Sequence, residues 1–125
     1  MGLIKVTALA GGHTLRDNLV KLIDRFHLTS SGYFGVRGQG GAGTRNIASN
    51  NPGRTAFEFQ SIAGEDYVSF RQLPGKGHVL TMRDGSVITY RYISSSKNRS
   101  PVVELKVKGA YGVKSQKIHF VFEVK

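Results

Sequence analysis

The densest group of chemically able side chains lies in Gly109-Ala110-Tyr111-Gly112-Val113-Lys114-Ser115-Gln116-Lys117-Ile118-His119-Phe120. A glycine turn, two lysines, a hydroxyl, an amide and an imidazole are the groups that hold a phosphodiester. Lys114 and Lys117 would neutralise the phosphate, Ser115 and backbone N–H groups would donate to a phosphoryl oxygen, Gln116 would bind substrate, and His119 would move a proton near neutral pH. The same residues also fit a polar loop followed by an edge strand with a solvent-facing histidine. A second group comes from the 86 to 93 run, where alternation puts Thr89 and Arg91 on one face and Tyr90 and Tyr92 on the other. If both runs lie in one sheet in a suitable register, Thr89, Arg91, Lys117 and His119 converge, with Arg91 as a bidentate phosphate clamp. The plainer role for Arg91 is a surface pair with Glu104 or Glu123, which contributes little.

Ser94, Ser95, Ser96, Lys97, Asn98 and Arg99 form a polar, basic loop suited to a nucleic-acid backbone, or simply a solvated one. His13 beside Gly11-Gly12, and His78 in Gly75-Lys76-Gly77-His78, are candidates for a second proton-transfer or substrate-binding group. His27 closes a helical run, where histidine commonly meets the C-terminal dipole. Four histidines with no HxxxH or HExxH spacing make a poor metal site, so no metal ligand and no cofactor is expected. Gly38-Gln39-Gly40-Gly41-Ala42-Gly43-Thr44 resembles a phosphate loop in composition only, because the GK[ST] ending is missing. There is no GxSxG elbow and no acid pair disposed for glycosidic chemistry.

These groups need a scaffold, and 125 residues with 39% hydrophobic content are enough for one domain, 1–125, with a real core. The absence of cysteine removes disulfides, thiolate metal sites and a cysteine nucleophile. Eighteen Lys and Arg against eight Asp and Glu give a net charge of +10, and nucleic acid leads the partners that such a charge attracts. From Val68 onward eleven basic residues face three acidic ones, so the C-terminal half is the anion-binding half. No apolar run approaches the ~20 residues of a membrane span, so membrane insertion of this domain is not expected.

Leu15, Leu19, Leu22, Ile23 and Phe26 follow helical spacing, with Thr14 as N-cap, Asp17 at the N-terminus and Ser31-Gly32 as the stop. Seven glycines between Gly32 and Gly53 predict a long mobile loop, ordered against a partner through Arg37, Arg45 and Arg54 or packed beside the helix through Tyr33, Phe34 and Ile47. Thereafter period-two runs near 54 to 60, 66 to 72, 78 to 83, 86 to 93, 102 to 108 and 117 to 124 predict a β-meander with a tight Asp84-Gly85 turn. The expected fold is α+β: an N-terminal helix packed on one face of a twisted antiparallel β-sheet, the other face left for a ligand.

Three stretches carry a resemblance: Arg83-Asp84-Gly85-Ser86-Val87-Ile88-Thr89-Tyr90-Arg91-Tyr92-Ile93-Ser94-Ser95-Ser96, then Ser100-Pro101-Val102-Val103-Glu104-Leu105, then Gly112-Val113-Lys114-Ser115-Gln116-Lys117-Ile118-His119-Phe120. Together they resemble the C-terminal toxin domains of bacterial contact-dependent growth inhibition and related Rhs polymorphic toxins. The resemblance covers about the last forty residues, and the Lys-Ser-Gln-Lys-Ile-His-Phe run is its most specific part. It implies a small nuclease of the barnase, EndoU, colicin and RelE type that cleaves tRNA or other RNA. Such a domain is released from a larger secreted cell-surface effector into the target-cell cytoplasm, is blocked by a cognate immunity protein, and in some cases depends on elongation factor Tu. It also places His119 and Lys114-Ser115 on the active segment, and Thr89 and Arg91 on its Tyr-Arg strand.

Residue chemistry and resemblance meet in metal-independent RNA cleavage by the substrate's own 2′-OH, with Lys114 or Lys117 and Arg91 stabilising the added charge and Ser115 or Thr89 orienting an oxygen. A basic active face calls for an acidic immunity protein. The rival readings are a non-catalytic RNA- or DNA-binding module that stacks bases on Tyr90, Tyr92 and Tyr111, and a metal-dependent DNase toxin.

Overall fold

The computed structural model describes residues 11–93, 99–109 and 111–123. Helix α1 spans Leu15–Arg25 and begins as a capping box, in which the Thr14 hydroxyl accepts from the Asp17 N–H and the Asp17 carboxylate accepts from the Thr14 N–H. Leu15, Leu19 and Leu22 face the core and Phe26 is the C-cap, but Ile23 lies off the stripe and is exposed. The helix stops at Arg25, earlier than Ser31-Gly32, because Phe26 takes an extended conformation and buries its ring.

The glycine-rich region is not one long loop. It holds strands β1 (Val36–Arg37) and β2 (Thr44–Ser49), joined as an antiparallel pair. Arg45 is buried there and donates to the carbonyls of Phe34, Gly35 and Ala42, which fastens the segment to the fold instead of offering its charge to phosphate. The stretch read as a strand at 54 to 60 belongs to a second helix, α2 (Pro52–Ala63). Asn51 caps it through a bond from the Arg54 N–H, Pro52 occupies its first turn, and Pro52, Ala56, Phe59, Gln60 and Ala63 bury at helical spacing.

Five strands complete the sheet: β3 (Ser69–Leu73), β4 (Gly77–Thr81), β5 (Val87–Arg91), β6 (Val102–Lys106) and β7 (Gln116–Phe122). The order is β1-β2-β7-β6-β5-β4-β3, antiparallel throughout except for the parallel pair β2 and β7. Among the described residues the fold is therefore α+β, with two helices and a mostly antiparallel seven-stranded sheet; α2 is a helix that the sequence reading did not expect. The Asp-Gly turn forms between β4 and β5: Gly85 adopts φ +90 and the Asp84 carboxylate accepts from the Ser86 N–H and the Tyr111 hydroxyl. Burial pushes that carboxyl up, but these donors outweigh it and hold it below its ordinary value.

Both helices lie on one face of the sheet. Phe59 sits at the centre, with the rings of Phe26, Phe34 and Phe120 at 4.9, 5.2 and 5.8 Å. Asn18, buried on α1, donates to the Ala63 and Glu65 carbonyls and so satisfies the C-terminal end of α2. Among the described residues the opposite face carries no helix, and its side chains follow from the strand register.

Candidate functional site

On that open face two cross-strand rows run side by side. One is Gly77, Arg91, Val102, His119 and Asn46; the next is Val79, Thr89, Glu104, Lys117 and Thr44. Direct neighbours in such rows have Cβ atoms about 4.5–5.5 Å apart, so Thr89, Glu104 and Lys117 form a continuous polar line with Arg91 beside it. A cleft of about 610 Å³ opens over these residues, and its walls include Gly75, Lys76, Tyr92 and Arg99. Gly77 leaves the row empty beside Arg91; a Cβ there would collide with the Tyr90 carbonyl. Four cations surround one carboxylate, Glu104. The surface pair considered for Arg91 does not form: among the described residues neither Arg91 nor Lys117 makes an ion pair, which leaves both free for an anion.

His119 occupies this face but is not solvent-facing. The chain entering β6 lies against it, so the residue is 6% exposed and Nδ1 shares a 2.9 Å hydrogen bond with the Ser100 hydroxyl. Burial, and secondarily the charge of Lys117, pushes its pKa below the ordinary histidine value. The imidazole is therefore neutral at pH 7. The bond to Ser100 occupies Nδ1 and leaves Nε2 as the ring nitrogen for proton transfer.

The remaining sequence candidates are dispersed. Lys114 and Ser115 line a separate depression with Ser30 and Ser31; the Lys114 ammonium sits over the Tyr33 ring and the Ser115 hydroxyl accepts from the Val107 N–H. Gln116 points to the helix side, where it accepts from the Phe34 N–H and donates to the Gly32 and Lys114 carbonyls, a clasp within the fold that leaves nothing for substrate. Tyr90 and His78 also face the helix side, away from Arg91. His13 lies at the other end of the sheet, where its Nδ1 bonds the Asn18 side chain and its backbone joins Asp66 and Arg83. Arg99 lines the cleft in a left-handed conformation, φ +50, whereas Ser94 and Lys97 fall outside the described residues.

Sequence reasoning missed Glu104 and Lys76 as members of the site. The signal for Glu104 was present: it is the polar residue between Val103 and Leu105, hence on the face away from the core. Among the described residues no group of three or more His, Asp or Glu side chains is placed to hold a metal ion, and no helix is long and apolar enough to cross a membrane. Comparison with family models, curated proteins and solved structures finds no match to this chain.

Proposed function

We propose that the cleft binds an RNA phosphodiester and cleaves it with the substrate's own 2′-OH, which makes the chain a metal-independent endoribonuclease toxin. The observation that carries this reading is the juxtaposition of Thr89, Arg91, Glu104 and Lys117 in one cleft whose cations form no ion pair among the described residues. Arg91 grips the phosphate in its planar fork, Lys117 neutralises charge, and the Thr89 hydroxyl orients a phosphoryl oxygen. Proton transfer falls to the two groups on this face able to accept one: the Glu104 carboxylate and neutral His119 at Nε2. The 2′-oxygen attacks phosphorus as its proton passes to one of these two groups, the bond to O5′ breaks, and O5′ takes up a proton returned by that group or supplied by water. The products are a 2′,3′-cyclic phosphate and a 5′-OH.

With the resemblance of the last forty or so residues, this reading extends to a barnase/EndoU-type fold, tRNA as target, delivery to neighbouring bacteria as part of a larger cell-surface effector, and an acidic immunity protein that covers the cleft, with elongation factor Tu as a helper in the target-cell cytoplasm. Incubation of the chain with total RNA in EDTA is the test. Discrete fragments ending in 2′,3′-cyclic phosphate are expected; RNA retained without cleavage would make the chain a binding module, and cleavage only of DNA with added metal would make it a DNase.

A further inference from the structure

The helix side of β3 to β5 carries a row of rings that the proposed reaction does not use. Phe70 lies 5.4 Å from His78, His78 lies 5.8 Å from Tyr92, and Tyr92 lies 5.4 Å from Tyr90. Tyr67 extends the row beyond Phe70, and Phe57 of α2 closes on Tyr90 from above. The Tyr92 hydroxyl and His78 Nε2 are 3.3 Å apart, which ties two rings together. Because α2 packs over β5, β6, β7 and β2, reaches β4 through the bond from Gln60 to the His78 carbonyl, and leaves β3 uncovered, Phe57, Phe70 and Tyr92 are left 51%, 50% and 39% exposed.

Two observations bear on what these rings could bind. The first is continuity with the cleft. Tyr92 lines the cleft, yet its ring meets those of His78 and Tyr90 edge-on in the row on the other side, and it directly follows Arg91 at the end of β5. A strand whose phosphate rests on Arg91 therefore reaches the Tyr92 ring as it passes the end of the sheet. The second is charge. Strands β3, β4 and β5 contain no Asp or Glu, while Lys76 stands at the turn beside the rings and Arg54 lies one turn before Phe57.

We propose that this aromatic row is a stacking platform for the bases of single-stranded RNA whose phosphate occupies the Arg91 cleft. The inference rests on the ribonuclease reading and narrows its substrate class, since bases paired in a duplex have no free faces to offer. Stacking of this kind is tolerant of sequence because every base has a π-face.

The test uses a fluorescein-labelled single-stranded RNA of about ten nucleotides, 2′-O-methylated to prevent cleavage, and an abasic oligomer of the same length. Phe70→Ala and Tyr92→Ala, both at exposed rings and checked by thermal melting, should each weaken binding of the base-bearing RNA about tenfold. Binding of the abasic oligomer should change less than about twofold, and the salt dependence of RNA binding should stay the same, because phosphate contacts set it. Ring variants that bind RNA like the wild type, or that lose both oligomers equally, would overturn the platform; normal RNA binding with lost immunity-protein binding would assign the rings to a protein partner instead. If the wild-type chain neither binds nor cleaves RNA, the ribonuclease reading itself fails. If it binds and cleaves while the ring variants match it, only the platform falls.

Discussion

The proposed proton-transfer role of His119 has to be separated from a packing role, because this residue of the open face is also nearly sealed from water. His119→Ala deletes a buried hydrogen bond and leaves a cavity, so it should cost about 2 kcal/mol of stability as well as activity. A melting temperature equal to wild type would show that the ring is not packed as described. Its titration gives a cleaner signature. The folded pKa is lowered from 6.5, so the unfolded chain binds the proton more readily; the stabilisation is complete above about pH 6.5 and is lost as pH falls below it. His119→Gln should flatten stability across that window and leave untouched the separate acid limb below 3.8, where Asp84 and Asp17, both held low, take up protons. Glu104→Gln should behave differently. It removes a negative charge from among cations, so RNA affinity should hold or rise while the cleavage rate falls about 100-fold or more; a rate within tenfold of wild type would take Glu104 out of proton transfer. Alternation alone brought Thr89, Arg91 and Lys117 to one face, and the register placed them together. Alternation was silent on the covering of His119 by the chain around Ser100, and on the start of β7 at Gln116, whose parity turns that amide into the core.

At the scale of elements the outcome depended on which period each stretch displayed. Phe57 and Phe59, two apart, read as one face of a strand; in α2 the same spacing turns them nearly opposite, and Phe59 is fully buried while Phe57 is half-exposed. The Asn51-Pro52 start and the Gly64 stop were the legible signs of a helix. The meander and its Asp-Gly turn were legible because each pairing is local. The parallel pairing of β2 with β7 joins residues some seventy positions apart, and no local pattern encodes it. Glycine content likewise masked β2, whose place is fixed by Arg45 bonding three carbonyls and not by hydrophobic alternation. Helix ends provide the test at this scale. Asn51→Ala loses one capping bond at the exposed start of α2 and should cost about 1 kcal/mol in urea unfolding. Asn18→Ala strips the donor from two carbonyls at the other end, one of them buried, and should cost about 2–3 kcal/mol. The reverse order would mean that α2 is anchored by its cap and not by α1.

For the molecule as a whole the question is whether its +10 charge acts diffusely or through the cleft. A diffuse field attracts any polyanion and is insensitive to the removal of one charge among eighteen. A built site behaves otherwise. Each phosphate neutralised releases counterions, so the logarithm of affinity for single-stranded RNA falls with the logarithm of salt by about 0.7 per contact. Lys76, Arg91, Arg99 and Lys117 line the cleft, and full engagement of these four by a single strand gives a slope of about −2.8. Arg91→Ala and Lys117→Ala should each make the slope shallower by about 0.7, whereas Lys21→Ala should leave it unchanged, because Lys21 lies on α1 across the sheet and already pairs with Glu65. The measurement is a salt titration of binding by the non-cleavable oligomer. Equal small changes for all three variants would mean that the charge works as a field and that the open face of the sheet is not where RNA sits.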